Sequence, residues 1–269
     1  MRDLRRTSRV VALVAVASLL AGACGDDDTA DTTTSTSTVP DSSTTSASTT
    51  TAPTTSTSTG SGSEGIPDAD LPGEPFGLSP AAGRALAVVG VRFDDTLNVR
   101  EVPGTDGEVI ATLEPTSTDA VATGRARTVA ESIWWEVTTV DGLIGWIASS
   151  FTAQLGPTTD TTAAVIATLG ATPEEASVQD LGFLVADTVD TDPDVPTDLV
   201  IVVAADETGD LAEVTIDVIG LGDDALRGVR LHVFGTPLES GDAFALKSVE
   251  ATDLCDPTRG PAAPGDVCA

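Results

Sequence analysis

Between Thr29 and Ser63, 25 of 35 residues are Ser or Thr, and most of the others are Ala, Pro, Asp or Gly. A tract of this kind has no apolar face to bury, so nothing offsets the conformational entropy that folding would remove. It separates a short leader from residues 64–269, and any core must come from the latter. Ser/Thr-rich tracts with scattered proline are either O-glycosylated stalks or bare flexible linkers, and the residues do not choose between these. A bare coil of about 50 residues spans roughly 35–45 Å root-mean-square. The disordered stalk is expected over residues 24–81, taking in "PGEPFGLSP" at 72–80.

The leader has a recognisable grammar. Arg2, Arg5, Arg6 and Arg9 make a basic start, and Val10 to Gly22 is uncharged and nearly all apolar. That is the n-region and h-region of a signal peptide over residues 1–23. The apolar run is too short to span a bilayer as a helix, which needs about 20 residues. Leu20-Ala21-Gly22-Ala23-Cys24 resembles a bacterial lipobox. The resemblance implies cleavage before Cys24, acylation of its thiol with diacylglycerol and palmitate-type chains, and anchorage to the outer face of the cell membrane. The alternative is ordinary secretory cleavage at the same Ala-x-Ala, leaving Cys24 free.

Charge narrows the partners. Beyond residue 23 the chain carries nine basic and 41 acidic residues, a formal charge of −32. Such a field repels nucleic acid and anionic lipid heads, so nucleic acid is excluded as a partner. Lys247 is the sole lysine and there is no tyrosine, while Ala, Val, Gly, Asp and Thr dominate. This composition points to a GC-rich, actinobacterial-type source. Cys255 and Cys268 lie near the C-terminus of an exported chain, where thiols normally pair. Their bridge would contribute roughly 3 kcal/mol by restricting the unfolded chain. It would also pin a Pro- and Gly-rich tail.

Residues 85 to 155 read as short strands. Val89, Val91 and Phe93 alternate, followed by Leu97 and Val99, then Val109, Ala111 and Leu113. Asp94-Asp95, Pro103-Gly104, Asp106-Gly107 and Asp141-Gly142 supply turns. Period-two alternation with frequent turns indicates a small all-β barrel or sandwich. "LNVREVPG" (97–104) and "WWEVTTVDGLIGWIASSFT" (134–152) resemble the first strand and the closing hairpin of the bacterial Src homology 3 family. The intervening "EPTSTDAVATGRARTVAES" matches by length and pattern only. The resemblance implies a five- or six-stranded barrel over residues 82–156 that binds rather than catalyses, with cell-wall peptide as a ligand class.

Residues 160–269 read as an α+β domain. Thr172, Pro173 and Glu175 fit the start of a helix, as cap, first position and capping box. Leu181, Leu184, Val185 and Val189 then repeat at helical spacing. Four strands are expected at 198–204, 212–220, 228–235 and 243–250. The first is apolar on both faces, which predicts a central or covered strand. The expected architecture is one helix on an antiparallel sheet, making the whole chain multi-domain.

No set of residues points to catalysis. A hydrolytic nucleophile needs a neighbouring base, and His232, the single histidine, sits mid-strand. Asp187, Asp190, Asp192, Asp194 and Asp198 crowd one loop, as calcium ligands do. However, the helix-loop-helix calcium pattern would need Gly and Glu where Val195 and Ile201 stand. A solvated acidic loop is expected, with no metal and no cofactor. The better signal is aromatic, since all three tryptophans fall in the barrel. Alternation puts Trp135 inside with Val137 and turns Trp134 outward, where it could anchor a ligand. Trp146 is either a ligand contact or barrel packing. Asn98 and Arg100 share one face of the "LNVR" strand. Arg100 would pair either with a peptide carboxylate or with a neighbouring acid. In eukaryotic relatives of the fold the first Trp of such a pair lines a peptide groove, beside tyrosines and a closing-strand Pro. Ala148 stands at that Pro position and no tyrosine exists, so proline-rich ligands are not expected.

The sequence thus leads to a lipid-anchored exported protein with a non-catalytic module for cell-wall peptide. The alternative is an accessory envelope lipoprotein whose C-terminal domain contacts a partner protein.

Overall fold

The computed structural model describes residues 65–189, 194–263 and 265–269. The signal peptide, Cys24, the Ser/Thr tract, Asp190 and Asp192 lie outside the described residues. The described chain is mostly β, with thirteen strands and two α-helices. In order these are β1 (Glu74–Pro75), β2 (Ala85–Val88), β3 (Leu97–Arg100), β4 (Val109–Leu113), β5 (Ala120–Val129), β6 (Ser132–Thr138), β7 (Ile144–Ala148) and β8 (Thr152–Asp160). There follow α1 (Thr162–Leu169), β9 (Glu174–Glu175), α2 (Val178–Ala186), β10 (Asp198–Thr208), β11 (Leu211–Ile219), β12 (Leu226–Pro237) and β13 (Phe244–Cys255). The strands join one antiparallel network in the order β10-β11-β12-β13-β8-β2-β5-β6-β7-β3-β4.

The barrel portion follows the alternation in its sequence. Leu97 and Val99 are buried while Asn98 and Arg100 are half-buried. Leu86, Val88, Val99, Trp135, Val137 and Ile147 form its core. Trp135 donates its indole N–H to Thr152 Oγ1 at 3.0 Å, which ties the start of β8 to this core. The β6–β7 turn uses Gly142 at φ 79°. The β5–β6 turn is less ordinary. Its two residues, Ala130 and Glu131, both adopt positive φ (48° and 68°). A two-residue hairpin loop that matches strand twist needs that conformation, which Gly and Asn adopt far more readily than Ala or Glu.

In the C-terminal portion, α1 and α2 cover one face of β11–β13. Val165, Val178, Leu181, Val185, Ile216, Leu231 and Val233 are buried together there. Gly182 lets α2 lie close to β11, since a Cβ on it would sit 2.7 Å from Val214 Cγ1. The single helix expected from residue 172 is corrected to two. Ser177 caps α2, its Oγ accepting from Asp180 N–H at 3.1 Å. Upstream, Glu174 and Glu175 pair with Ala245 and Phe244 as β9. Starting the helix at Val178 buries Leu181 and Val185 and leaves residues 173–175 free to bond β13, which a helix from 172 would forbid. The prediction for 198–204 is also corrected. β10 is an edge strand, with Leu199 41% and Val203 40% exposed.

The two portions are joined within one compact unit that takes in the described residues from 65 onward. Strand β8 crosses between them, pairing with β2 at Thr152 and Ala153 and with β13 from Gln154 to Asp160. Asp217 is fully buried and accepts two bonds from Arg230, at 2.7 and 2.9 Å. The same pair takes up barrel backbone: Asp217 accepts from Gly90 N–H, and Arg230 donates to the Val88 carbonyl. Each charge is therefore hydrogen-bonded as well as paired, as burial requires.

The stalk expected through residue 81 is shortened by the structure. Residues 65–76 lie as a strap on the barrel. They contain a 3₁₀ turn at Asp68–Asp70 and strand β1, which pairs with β5 through Glu74↔Thr128 and Pro75↔Arg127. At the other end, the sulfurs of Cys255 and Cys268 lie at disulfide distance, 2.08 Å, as the sequence leads one to expect.

Candidate functional site

An open groove of about 770 Å³ runs along the barrel. One wall comes from Val91–Arg92, Asp95–Asn98 and Arg100, the other from Glu131–Trp134 and Ala148–Phe151. Asn98, Arg100 and Trp134, singled out in the sequence, all line it. The strands explain the convergence: β3 pairs with β7 at Arg100↔Trp146, and β7 pairs with β6 at Ala148↔Trp134. Arg100 donates from Nη1 to the Gly107 carbonyl at 2.7 Å. No neighbouring acid holds it, since among the described residues no ion pair involves it. The groove also carries two acids, Asp95 and Glu131, and Arg92, which is paired with Asp94 at 2.9 Å.

Two of the expected contacts are placed differently. Trp134 does face away from Trp135, as alternation requires, but it is only 5% exposed. Leu71 and Ile66 of the strap pack over it together with Trp146, so that face is covered rather than open to solvent. The period of two assigns a side chain to a face and says nothing of what lies on that face. Trp146 is 1% exposed and does not line the groove; it sits under Arg125, whose guanidinium carbon is 5.6 Å from the ring centre.

The strap is held by two arginines, Arg125 and Arg127, that the alternation of the barrel strands does not single out. Arg127 donates to the carbonyls of Leu71, Pro72 and Gly73, at 3.2, 2.9 and 2.5 Å. Gly73 is at φ 73°, and a Cβ there would meet the Thr128 carbonyl oxygen at 2.2 Å, so the strap bends where only glycine fits. Arg125 donates to the Ile66 carbonyl at 2.9 Å and to Asp68 at 2.6 Å, and pairs with the buried Glu136 at 2.5 Å. The Arg125 guanidinium holds the Asp68 carboxyl below its ordinary value. Two buried donors on this face, Arg127 Nη1 and Trp134 Nε1, make no hydrogen bond among the described residues. The signal was legible in principle, since "RAR" places two cations on one strand face of a strongly acidic chain.

His232 lies on β12, half-exposed, with Nε2 3.2 Å from Glu213 and its ring 4.1 Å from that of Phe234. Its polar partner is an acid and not a hydroxyl or thiol. Among the described residues no cluster of three metal-ligating side chains occurs.

Residues 95–153 match the family model of the bacterial SH3 domain. That span contains Asn98, Arg100, Trp134 and Trp146. No curated protein matches the chain, and no solved structure does.

Proposed function

We propose that this protein is an exported, lipid-anchored envelope component whose barrel binds acidic cell-wall peptide without catalysis. The observation that carries the reading is Arg100. It is a cation in a chain of net charge −29, it lines the groove, and among the described residues only a neutral carbonyl holds it. A ligand carboxylate is the natural partner for such a group. Trp134 borders the same groove. Asn98 adds an amide that can both donate and accept. Modules of the bacterial SH3 family are typically non-catalytic and commonly bind peptidoglycan or proteins. Cys24 is the proposed acylation site, and the Ser/Thr tract the stalk that carries the folded part away from the membrane. Residues 160–269 are read as a second, α+β unit with its own helix-covered core.

The test is binding of the full chain to purified peptidoglycan fragments. Arg100→Ala should weaken binding about tenfold or more, as loss of a charge-assisted contact does. Equal binding by wild type and variant, or none at millimolar ligand, ends the reading. Mass spectrometry of the mature N-terminus tests the anchor, and an unmodified Cys24 would remove it.

A second reading rests on β10. Its exposed Leu199 and Val203 lie on a sheet edge, the kind of place where strands are added, with the Ile201 carbonyl between them already accepting from Phe93 N–H. In that case the C-terminal portion contacts a partner protein and the barrel is a spacer. Wall fragments would then not bind, and Leu199→Asp would abolish capture of the partner.

A further inference from the structure

The strap has the features of a bound peptide rather than of a barrel strand. Of residues 65–76, Leu71 is the one that is buried. β1 contributes two paired residues. Ile66 and Phe76 are half-buried and pack on the barrel, and the rest of the grip is polar, from Arg125 and Arg127 to the carbonyls of residues 66, 71, 72 and 73. Carbonyls are common to every peptide, so this grip does not depend on the strap's side chains. Specificity comes from two points: Asp68 at Arg125, and Leu71 in the apolar hollow formed with Trp134 and Trp146. Addition of an extended segment to a sheet, with main-chain bonds for affinity and pockets for selected side chains, is a recurrent mode of peptide recognition.

The seat is also incompletely satisfied by its occupant. Arg127 Nη1 lies 3.6 Å from Asp68 Oδ1 and, among the described residues, neither it nor Trp134 Nε1 makes a hydrogen bond. Buried donors left unmade cost free energy, so a chain that supplied acceptors to both would outcompete the strap. The charge of the seat fixes the class of competitor. Arg125 and Arg127 present two guanidinium groups, and the one carboxylate built into the seat, Glu136, already bonds Arg125 and the Thr123 hydroxyl.

We propose that the face formed by Arg125, Arg127, Trp134 and Trp146 is a second peptide site, distinct from the Arg100 groove, and that residues 65–76 are its displaceable resident. Its partner is an extended acidic peptide carrying an aliphatic residue three positions after an acid. Displacement uncovers both tryptophans. Trp134 belongs to both places, so occupancy of the seat alters one wall of the groove.

Two measurements on the full chain decide this. The first is amide hydrogen exchange. The Phe76 N–H, bonded to the Ala126 carbonyl, should exchange on the order of 100-fold faster than the β6–β7 amides of Trp135 and Ile147. Equal protection would make the strap a fixed part of the barrel and overturn the proposal. The second uses a labelled peptide with the strap sequence GIPDADLPGEPF. It should bind full-length Leu71→Asp protein about tenfold or more tightly than wild type, because the resident no longer competes. The same peptide with its leucine replaced by aspartate should not bind. If acrylamide reaches Trp134 in the variant and the peptide still fails to bind at millimolar concentration, the seat is not a peptide site. Should Leu71→Asp not fold, Asp68→Lys supplies the same comparison, with the same two outcomes.

Discussion

The strap at residues 65–76 and the loop closed by Cys255 and Cys268 are both short, Pro- and Gly-containing segments fastened to the barrel by arginine. Arg127 and Arg125 grip the strap carbonyls. Arg84 grips those of Pro261 and Ala262, and Gln154 donates to the Pro257 carbonyl at 2.6 Å. Neither segment has enough apolar surface to hold itself in place. They differ in what else secures them. The C-terminal loop is closed by a covalent bond, and Cys255 itself is fully buried at the end of β13. The strap has one buried leucine. The same polar grip therefore yields a permanent clamp in one place and an exchangeable contact in the other, and the deciding factor is the entropy left to the segment when it lets go.

The largest expected effect lies on the covalent side. Cys255→Ser should lower global stability by about 3 kcal/mol, the value for closing a loop of this length in the unfolded chain. Urea denaturation with and without reductant measures it. Because the loop docks on β2 and β8, both portions of the chain should unfold at lower urea together. Retention of wild-type stability by the reduced protein would mean that the arginine and glutamine contacts alone secure the loop, and the contrast with the strap would vanish.

The strap answers next. Leu71→Ala should weaken strap docking by about 2 kcal/mol, at the lower end for a buried leucine. The opening is local, so tryptophan emission should shift to the red and acrylamide quenching should rise without a comparable fall in the global unfolding midpoint. A fall in the midpoint as large as that of Cys255→Ser would show that the strap is integral to the barrel.

Part of this was legible in the sequence. The alternation of Leu97, Val99, Trp135 and Val137 specified the barrel interior, because each burial depends on the strand's own period. The cysteine pair was legible because two late thiols behind a leader that reads as a signal peptide have few other expected fates. The cover over Trp134 was not legible. It comes from residues some sixty positions upstream in a Pro-rich stretch, and its grip runs through carbonyls that no side-chain pattern reveals. For the same reason the cluster of Asn98, Arg100 and Trp134 was half foreseen: the strand faces were readable, the neighbouring strap was not. β10 departs from its pattern: apolar residues on both faces imply cover, whereas the strand stands at an edge. α1 escaped notice because its eight residues hold one buried side chain, Val165.

The hairpin at Ala130 and Glu131 joins β5, which carries the two gripping arginines, to β6, which carries Trp134. Both residues hold positive φ at some conformational cost. Replacing them with Asn-Gly, which adopts that turn freely, should raise global stability by about 1 kcal/mol. It should leave strap opening unchanged if the two are independent. Faster strap exchange in the Asn-Gly variant would instead tie the turn strain to the geometry of the seat. Urea midpoints and Phe76 exchange, measured on the same samples, separate these outcomes.

The smallest effect is the dependence on pH, and here the two segments should move in opposite directions. Asp68, in the strap, has its pKa lowered from 3.8 chiefly by its hydrogen bond to Arg125. A carboxyl lowered in the folded state contributes fully above its ordinary value and loses that contribution as pH falls through the lowered one. Strap docking should therefore loosen below about pH 4, the ordinary range of an aspartate. The groups facing Asp68 are Arg125 and Arg127, and Arg125 also pairs with Glu136; both arginines stay charged in this range, so what the strap loses is the Asp68 charge itself. Asp253, on β13 beside the disulfide, has its pKa raised from 3.8 by burial. Its contribution has the reverse sign, being complete below the ordinary value and lost as pH rises through the raised one. Asp253→Asn should consequently stabilise the C-terminal portion at pH 7, with a gain that shrinks toward pH 4. Asp68→Asn should weaken strap docking at pH 7 and abolish its response to acid. Tryptophan quenching followed from pH 7 to 3, beside urea midpoints at pH 7 and 4, reads both. If the strap opens over the same pH range in wild type and Asp68→Asn, another group controls it, and the ion pair with Arg125 is not what distinguishes the strap from the tail.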